Sequence, residues 1–218
     1  MLADVGGVPL VVRTWRRVTE AGFARVFVAT DDDEIAAVVE AAGGEVARTG
    51  DAPNGTARVA AAFAALGLDA DVVLNVQGDE PLVEPETLRR VAGGLLEAEG
   101  AGFDIATGAA PLSAAEADNP ARVKVALGEA GRALYFSRAA IPHGGPFRVH
   151  VGVYAFRPAA LRAAVVLPES AAERVERLEQ LRWLANGLAI RVVDVAAPAP
   201  SVDTAEDLER VRGLVRGG

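Results

Sequence analysis

The apolar run from Val72 to Val76, ending in Gln77-Gly78-Asp79-Glu80-Pro81, most constrains what this chain can fold into. Val72, Val73, Leu74 and Val76 read as a strand buried on both faces, and such a strand belongs in the middle of an α/β sheet. In an open sheet of that kind functional groups sit just past the carboxyl ends of the strands. Gln77 and Asp79 fall at that edge. Pro81 has no amide hydrogen to donate, so the ladder stops and Asp79 is turned toward a crevice, where a metal and a nucleotide are expected.

The pattern before and after this strand fits the same fold. Val8 to Ala21 reads as a helix with Leu10, Val11, Trp15 and Val18 on one face, and Arg25 to Ala29 as a short strand. Thr30 to Asp33 supplies capping oxygens for a helix from Glu34 to Ala42. Gly43-Gly44 ends that helix, Glu45 to Arg48 is a strand, and Gly55-Thr56 opens a helix through Leu66. Pro85 starts the helix after the central strand, with Leu88, Val91, Leu95 and Leu96 as its apolar stripe. This alternation predicts a doubly wound, mostly parallel sheet. From Ile105 the alternation breaks: Ile105 to Ala110, Val123 to Leu127, Ala133 to Phe136 and His150 to Phe156 are strands without helices between them. Gly128 to Gly131 reads as a hairpin turn. The expectation is one domain over residues 1–218 with an antiparallel insertion at about 105–157. Helices return at Pro158 to Val165 and from the capping box at Ser170 to Leu184. A strand from Ala189 to Val195 and a helix from Thr204 to Leu214 close the chain.

Composition narrows the function. The chain has 218 residues, enough for a sizeable core, and 51% of them are apolar. A net charge of -8 from 22 basic and 30 acidic residues gives no electrostatic footprint for nucleic acid. No cysteine is present, which removes disulfides and thiolate metal sites. No apolar run is long enough for a membrane span and no signal pattern opens the chain, so a cytoplasmic location without membrane partners is expected.

Several residue groups carry possible chemistry. Asp79 and Asp203 each follow a strand, and two carboxylates beside a triphosphate suit Mg²⁺. On spacing alone Asp79 also reads as a turn aspartate, and Asp203 reads first as the cap of the last helix. Gly55, Thr56 and Arg58 lie at a helix start that suits base or phosphate contacts, or is an ordinary helix start. Arg138 stands at a strand end, where it either captures a carboxylate or is a surface arginine. His150 and Tyr154 are four apart on a strand and share a face, as packing residues often do. Glu176, Glu179 and Gln180 lie on the polar face of a helix whose other face is Val175, Leu178, Leu181 and Leu184.

Together, and in this order, the motifs resemble one family. Val28 to Asp31 (Val-Ala-Thr-Asp), Asn54 to Thr56 (Asn-Gly-Thr), Asn75 to Pro81 (Asn-Val-Gln-Gly-Asp-Glu-Pro), Leu134 to Arg138 (Leu-Tyr-Phe-Ser-Arg), Leu178 to Arg182 (Leu-Glu-Gln-Leu-Arg) and Val202 to Thr204 (Val-Asp-Thr) are similar to those of the 3-deoxy-manno-octulosonate (Kdo) cytidylyltransferases. The resemblance implies a nucleotide-diphospho-sugar transferase type of fold and a homodimer, with the insertion at about 105–157 serving sugar binding or dimerisation. It also implies that the Kdo anomeric hydroxyl attacks the α-phosphate of CTP and releases pyrophosphate, for lipopolysaccharide assembly. By the same resemblance Asp79 and Asp203 bind Mg²⁺ and Gln77 touches the nucleotide or sugar near the reacting oxygen. Gly55, Thr56 and Arg58 then serve the cytosine and ribose of CTP. Arg138, His150, Tyr154, Glu179 and Gln180 line the Kdo pocket, with Arg138 on the sugar acid's carboxylate.

Members of that family open with a strand and a loop of the form Ile-Pro-Ala-Arg, then Ser-x-Arg-Leu-Pro-Gly-Lys, which hold the triphosphate. Here Met1 aligns just after that lysine. The expectation is a gap between the strands at Val26 and Val73, and impaired CTP turnover for a chain that truly starts at Met1. Two competing expectations stand beside the enzyme: a relative that binds nucleotide or sugar without turnover, and a cytidylyltransferase for another sugar acid. Asn54 and Ala57 depart from the family's usual serine and acidic residue, which alters the fine contacts to the base.

Overall fold

Side-chain oxygens start, and glycines follow, the second and third helices. The computed structural model describes residues 1–98 and 100–217 and begins with α1 (Leu10–Thr19), β1 (Phe27–Thr30), α2 (Asp33–Ala41), β2 (Glu45–Arg48) and α3 (Gly55–Leu66). The Asp32 carboxylate accepts from the Glu34 and Ile35 amides at 2.8 and 3.0 Å and caps α2. Asn54 accepts from the Ala57 amide at 2.8 Å and caps α3. The remaining elements are β3 (Val73–Asn75), α4 (Pro85–Leu96), β4 (Ile105–Leu112), β5 (Lys124–Leu127), β6 (Ala133–Ser137), β7 (Phe147–Phe156), α5 (Pro158–Ala164), α6 (Ala171–Glu176), α7 (Gln180–Ala185), β8 (Ile190–Asp194) and α8 (Ala205–Gly217). Among the described residues no helix is long and apolar enough to cross a membrane.

These elements form two compact units. The first comprises Met1–Asp69, Val76–Leu88 and the chain from Ala199. In it β1 and β2 pair in parallel, with Phe27 opposite Glu45. Helix α1 is buried on two sides. Its Val11 and Val12 pack with Val39, Val28, Ile35 and Val46, while Leu10 packs with Val5, Val211, Leu82, Val202 and Leu208. Each such valine or leucine contributes about 1.5–3 kcal/mol through removal from water.

The second unit, Ala70–Asn75 and Arg89–Pro198, holds a six-stranded sheet. Its strand order is β6-β5-β7-β4-β8, with β3 also pairing to β7. The β4–β8 pair is parallel, like β1–β2, while β3–β7, β4–β7, β5–β6 and β5–β7 are antiparallel. The fold is therefore α/β with a mixed sheet. The strands that the sequence places on either side of a gap lie in different sheets: β1 pairs with β2, and β3 with β7.

One expected helix is two. The capping box at Ser170 forms as expected, its hydroxyl accepting from the Glu173 amide at 3.0 Å, but α6 stops at Arg177, which adopts φ +54°. Leu178 and Glu179 make the corner and α7 starts at Gln180. The continuous apolar face therefore fails: Val175 is 83% exposed and Gln180, placed on the polar face, is buried. Left-handed backbone at a non-glycine residue is unfavourable by itself, so tertiary contacts must hold it. A two-pronged ion pair does so, with Arg182 Nε and Nη2 donating to the Glu173 carboxylate across the corner at 2.8 and 2.7 Å.

Phe156 is fully buried in the central strand β7 and meets the Trp183 ring edge-on at 5.2 Å. Phe156→Ala should lower unfolding free energy by about 3–5 kcal/mol, read from urea midpoints.

Candidate active site

In the first unit the chain past β3 makes a tight turn, with the Glu80 amide donating to the Gln77 carbonyl at 3.3 Å. Two outside groups pin that turn. The Thr14 hydroxyl of α1 donates to the Gly78 carbonyl at 2.8 Å, and the Val202 amide donates to the Asp79 carbonyl at 3.0 Å. The second bond sets the segment carrying Asp203 beside the segment carrying Asp79, so the structure brings the two expected metal ligands together. Burial, reinforced by the charge of Asp203, raises the Asp79 carboxyl above its ordinary range.

Glu80 belongs to this cluster, a role the sequence reading missed when it used Glu80-Pro81 only to end the strand. Burial, then the charges of Asp79 and Asp203, push its carboxyl up to about 7. The only signal for it in the sequence was its place beside Asp79. Among the described residues no three histidine, aspartate or glutamate side chains converge as a complete metal cage. A pair of carboxylates whose mutual repulsion a cation would relieve fits Mg²⁺, which takes one or two carboxylates and fills its shell with phosphate and water oxygens.

Asp203 does not cap α8. Thr204 does: its hydroxyl accepts from the Asp207 amide at 3.2 Å, and the Asp207 carboxylate accepts from the Thr204 amide at 3.0 Å. That reciprocal pair leaves the exposed Asp203 carboxylate out of the helix start.

Gln77, Gly55 and Thr56 also come together. A Cβ at Gly55 would lie 2.8 Å from both amide atoms of Gln77, so glycine is required at the start of α3 for that amide to lie against the backbone. Thr56 is buried beside it. Arg58, one turn into α3, forks onto Asp31, with Nη1 2.9 Å and Nη2 3.2 Å from the two carboxylate oxygens, and Nη1 donates to the Thr49 hydroxyl at 2.9 Å. The Arg58 guanidinium holds the Asp31 carboxyl below its usual range.

In the second unit His150 and Tyr154 come much closer than a regular strand allows. Gly108 of β4 pairs with Val151 and Thr107 with Tyr154, so β7 bulges by two residues, Gly152 and Val153. Residues four apart on a straight strand are separated by about 13 Å, whereas the His150 and Tyr154 ring centroids lie 5.4 Å apart. The pair stands as residues two apart would, on one face as expected. Phe136 meets His150 edge-on at 5.0 Å, and Trp183 meets Tyr154 edge-on at 5.0 Å. Burial pulls the His150 pKa down to about 3, so the ring is neutral near pH 7. Burial, then the charge of Glu179, raises the Tyr154 hydroxyl well above its ordinary value, so it stays a hydrogen-bond donor. Glu179 thus joins this cluster from the α6–α7 corner, with the buried Gln180 following it at the start of α7.

Arg138 follows β6 and is held by backbone and carboxylate. Its amide donates to the Glu176 carboxylate at 2.9 Å, its Nε to the Glu176 carbonyl at 2.8 Å and its Nη1 to the Pro120 carbonyl at 3.1 Å. The Ser137 hydroxyl donates to the same Glu176 carboxylate at 2.6 Å. Glu176, read from the sequence as a solvated residue, is therefore the anchor of Arg138. Lys124, fully buried, donates to the Asn119 carbonyl at 3.0 Å and to the Arg138 carbonyl, and burial lowers its pKa. Nothing in the spacing of the sequence marked Glu176 or Lys124 for this task.

The mixed α/β fold with a carboxylate turn past a strand end is of the nucleotidyltransferase kind. A Cytidylyltransferase family model matches residues 1–190. The 3-deoxy-manno-octulosonate cytidylyltransferase of Anaeromyxobacter sp. (strain K) is 46% identical over 224 residues, covering 100% of this chain and 91% of that protein. The enzyme of the same name from Yersinia enterocolitica is 46% identical over 230 residues, covering 98% and 91%. A solved CMP:2-keto-3-deoxy-manno-octonic acid synthetase complexed with CTP superposes with a TM-score of 0.92 at 38% identity, over 99% of this chain and 91% of that one. The 4-diphosphocytidyl-2C-methyl-D-erythritol synthase of Anaerococcus prevotii, 13% identical with a TM-score of 0.64, shares the fold. The chain belongs to the 3-deoxy-manno-octulosonate cytidylyltransferase family.

Two outcomes test this geometry. Thr204→Ala should cost about 1 kcal/mol of stability through loss of the cap, whereas Asp203→Asn, which removes no cap and relieves repulsion on Asp79 and Glu80, should not lower the urea midpoint. For His150 the folded pKa of about 3 lies below the ordinary 6.5, so the unfolded chain takes up a proton that the folded one does not. That contribution to stability is complete above pH 6.5 and is lost as the pH falls toward 3. The stability advantage of wild type over His150→Gln should shrink between pH 7.5 and pH 5, by at most about 1.4 kcal/mol per pH unit. A difference independent of pH would remove the burial assignment.

Proposed function

We propose that this protein transfers a cytidylyl group from CTP to the anomeric hydroxyl of Kdo, releasing pyrophosphate. The observation that carries the reading is the Asp79–Asp203 pair, set side by side by the Val202–Asp79 backbone bond in a chain of this family. Mg²⁺ held by those two carboxylates supplies charge neutralisation for the phosphates.

The protein's own groups do the rest. Gly55 and Thr56 offer backbone and hydroxyl contacts to the nucleoside, and Gln77, lying against Gly55, presents its amide at the same place. Arg58, oriented by Asp31 and Thr49, is fixed before any nucleotide binds, so little side-chain entropy remains to be lost. On the sugar side Arg138 takes the carboxylate, with the guanidinium hydrogens left over from its Glu176 and Pro120 bonds. Neutral His150, protonated Tyr154, Glu179 and Gln180 take the hydroxyls. A cluster that satisfies many hydroxyls discriminates against analogues that lack them, because its buried polar groups are then left unmet. The chemical step asks for in-line placement of the attacking oxygen and neutralised phosphate charge rather than covalent participation by a side chain. The edge strand β6, with Leu134 58% and Tyr135 38% exposed, supports a homodimer built on the antiparallel strands, and a cytoplasmic location fits nucleotide chemistry.

Pyrophosphate release from CTP and Kdo should depend on Mg²⁺, and Asp79→Asn and Asp203→Asn should each reduce it by at least about a hundredfold with folding intact by circular dichroism. Activity retained in Asp203→Asn, or release with another sugar acid but none with Kdo, would overturn the corresponding part of the proposal.

A further inference from the structure

At the two-residue bulge in β7, one buried side chain gathers two backbone carbonyls. Thr107, fully buried on β4, places its Oγ1 2.8 Å from the Val153 carbonyl, 3.1 Å from the Val151 carbonyl and 2.9 Å from His150 Nε2. A hydroxyl has one proton, and both carbonyls can only accept, so that proton goes to a carbonyl. The oxygen's lone pairs then face His150 Nε2, and a hydrogen bond at 2.9 Å requires Nε2 to be the donor. The imidazole is neutral, so its other nitrogen, Nδ1, carries a lone pair.

We propose that Thr107 is a positioning residue that closes the β7 bulge and holds His150 as its Nε2–H tautomer, leaving Nδ1 as an acceptor for a hydroxyl of the sugar acid. The acceptor role rests on the sugar-pocket reading of His150; the tautomer does not. The same hydroxyl serves both purposes. By donating to the Val153 carbonyl, with the Val151 carbonyl 3.1 Å from the same oxygen, it sets how far the bulge closes, and hence the 5.4 Å spacing of the His150 and Tyr154 rings. By accepting from Nε2 it decides which polarity His150 presents. Tyr154 as donor and His150 as acceptor then read one sugar hydroxyl from both of its hydrogen-bonding ends.

The chain has two histidines, so ¹⁵N-labelled protein gives a spectrum in which proton–nitrogen correlations of the His150 ring separate from those of His143 and are assigned by their loss in His150→Gln. Wild type near pH 7.5 should show the Nε2–H pattern. Thr107→Val, which keeps the shape and removes the hydroxyl, should shift it toward a mixture of tautomers and weaken Kdo binding, titrated in the same spectra, by about tenfold. Thr107→Ser should restore both. An Nδ1–H pattern in wild type, an unchanged pattern in Thr107→Val, or a Thr107→Ser protein that behaves like Thr107→Val would each overturn the clamp. Should Thr107→Val fail to fold, the wild-type and Thr107→Ser spectra decide it by the same criteria. A shifted tautomer with unchanged Kdo affinity would uphold the clamp and overturn the pocket role of His150, separating the two readings.

Discussion

Strand β7 pairs with β5 and β4 along its first half and with β3 and β4 along its second, and between the two halves it gives up two residues, Gly152 and Val153, against β4. Along its other edge, β3 takes over where β5 leaves off. Backbone polar groups released from a ladder inside a core must find other partners, and the Thr107 hydroxyl provides one. The bulge, which lies where β5 gives way to β3, draws His150 and Tyr154 into one cluster.

The carboxylate turn shows the opposite economy of charge. Asp79 and Glu80 are half-buried, and the charges acting on Glu80 are those of Asp79 and Asp203. Burying like charges together raises the free energy of the folded state unless a counter-charge is supplied. The turn is held through its main-chain carbonyls by Thr14 and Val202, so its position does not call on the carboxylate oxygens. Arg58 and Arg138 are treated differently, since each is braced by fixed acceptors before a ligand arrives.

Elements with local causes were legible from the sequence. Glu45 to Arg48 and Gly55 to Leu66 stand where they were read, because a glycine pair ends the preceding helix and Asn54 caps the following one. The β5–β6 hairpin formed around Gly128 to Gly131 for the same reason. What failed was set by distant contacts. Arg177 carries no sign of left-handed backbone, and only the Glu173–Arg182 pair and the Glu176 bonds to Ser137 and Arg138 explain why a helix with a good periodic pattern breaks there. The β7 bulge was equally hidden, since an alternating strand pattern is unchanged by two looped-out residues and Gly152 is a weak marker. The cap reading of Asp203 failed for a different reason. Thr204 and Asp207 form their own capping pair one residue later, and Thr-x-x-Asp was visible in the sequence beside the simpler reading.

The residues missed by spacing share one property. Thr107, Lys124 and Glu176 act on the backbone or side chain of a candidate binding residue, and such a role needs only a buried polar atom at the right point in space. Spacing along the chain carries no information about that point, because each partner lies on another element. Lys124 makes the case most clearly: a fully buried ammonium is costly, and its charge is offset by carbonyls of Asn119 and Arg138 and by the nearby carboxylates of Asp118 and Glu176. Such a group is stable only if that loop and strand end keep their places, so the lysine couples the position of Arg138 to the integrity of the fold. Candidate binding residues can be picked out from motifs, but what orients them is decided by packing.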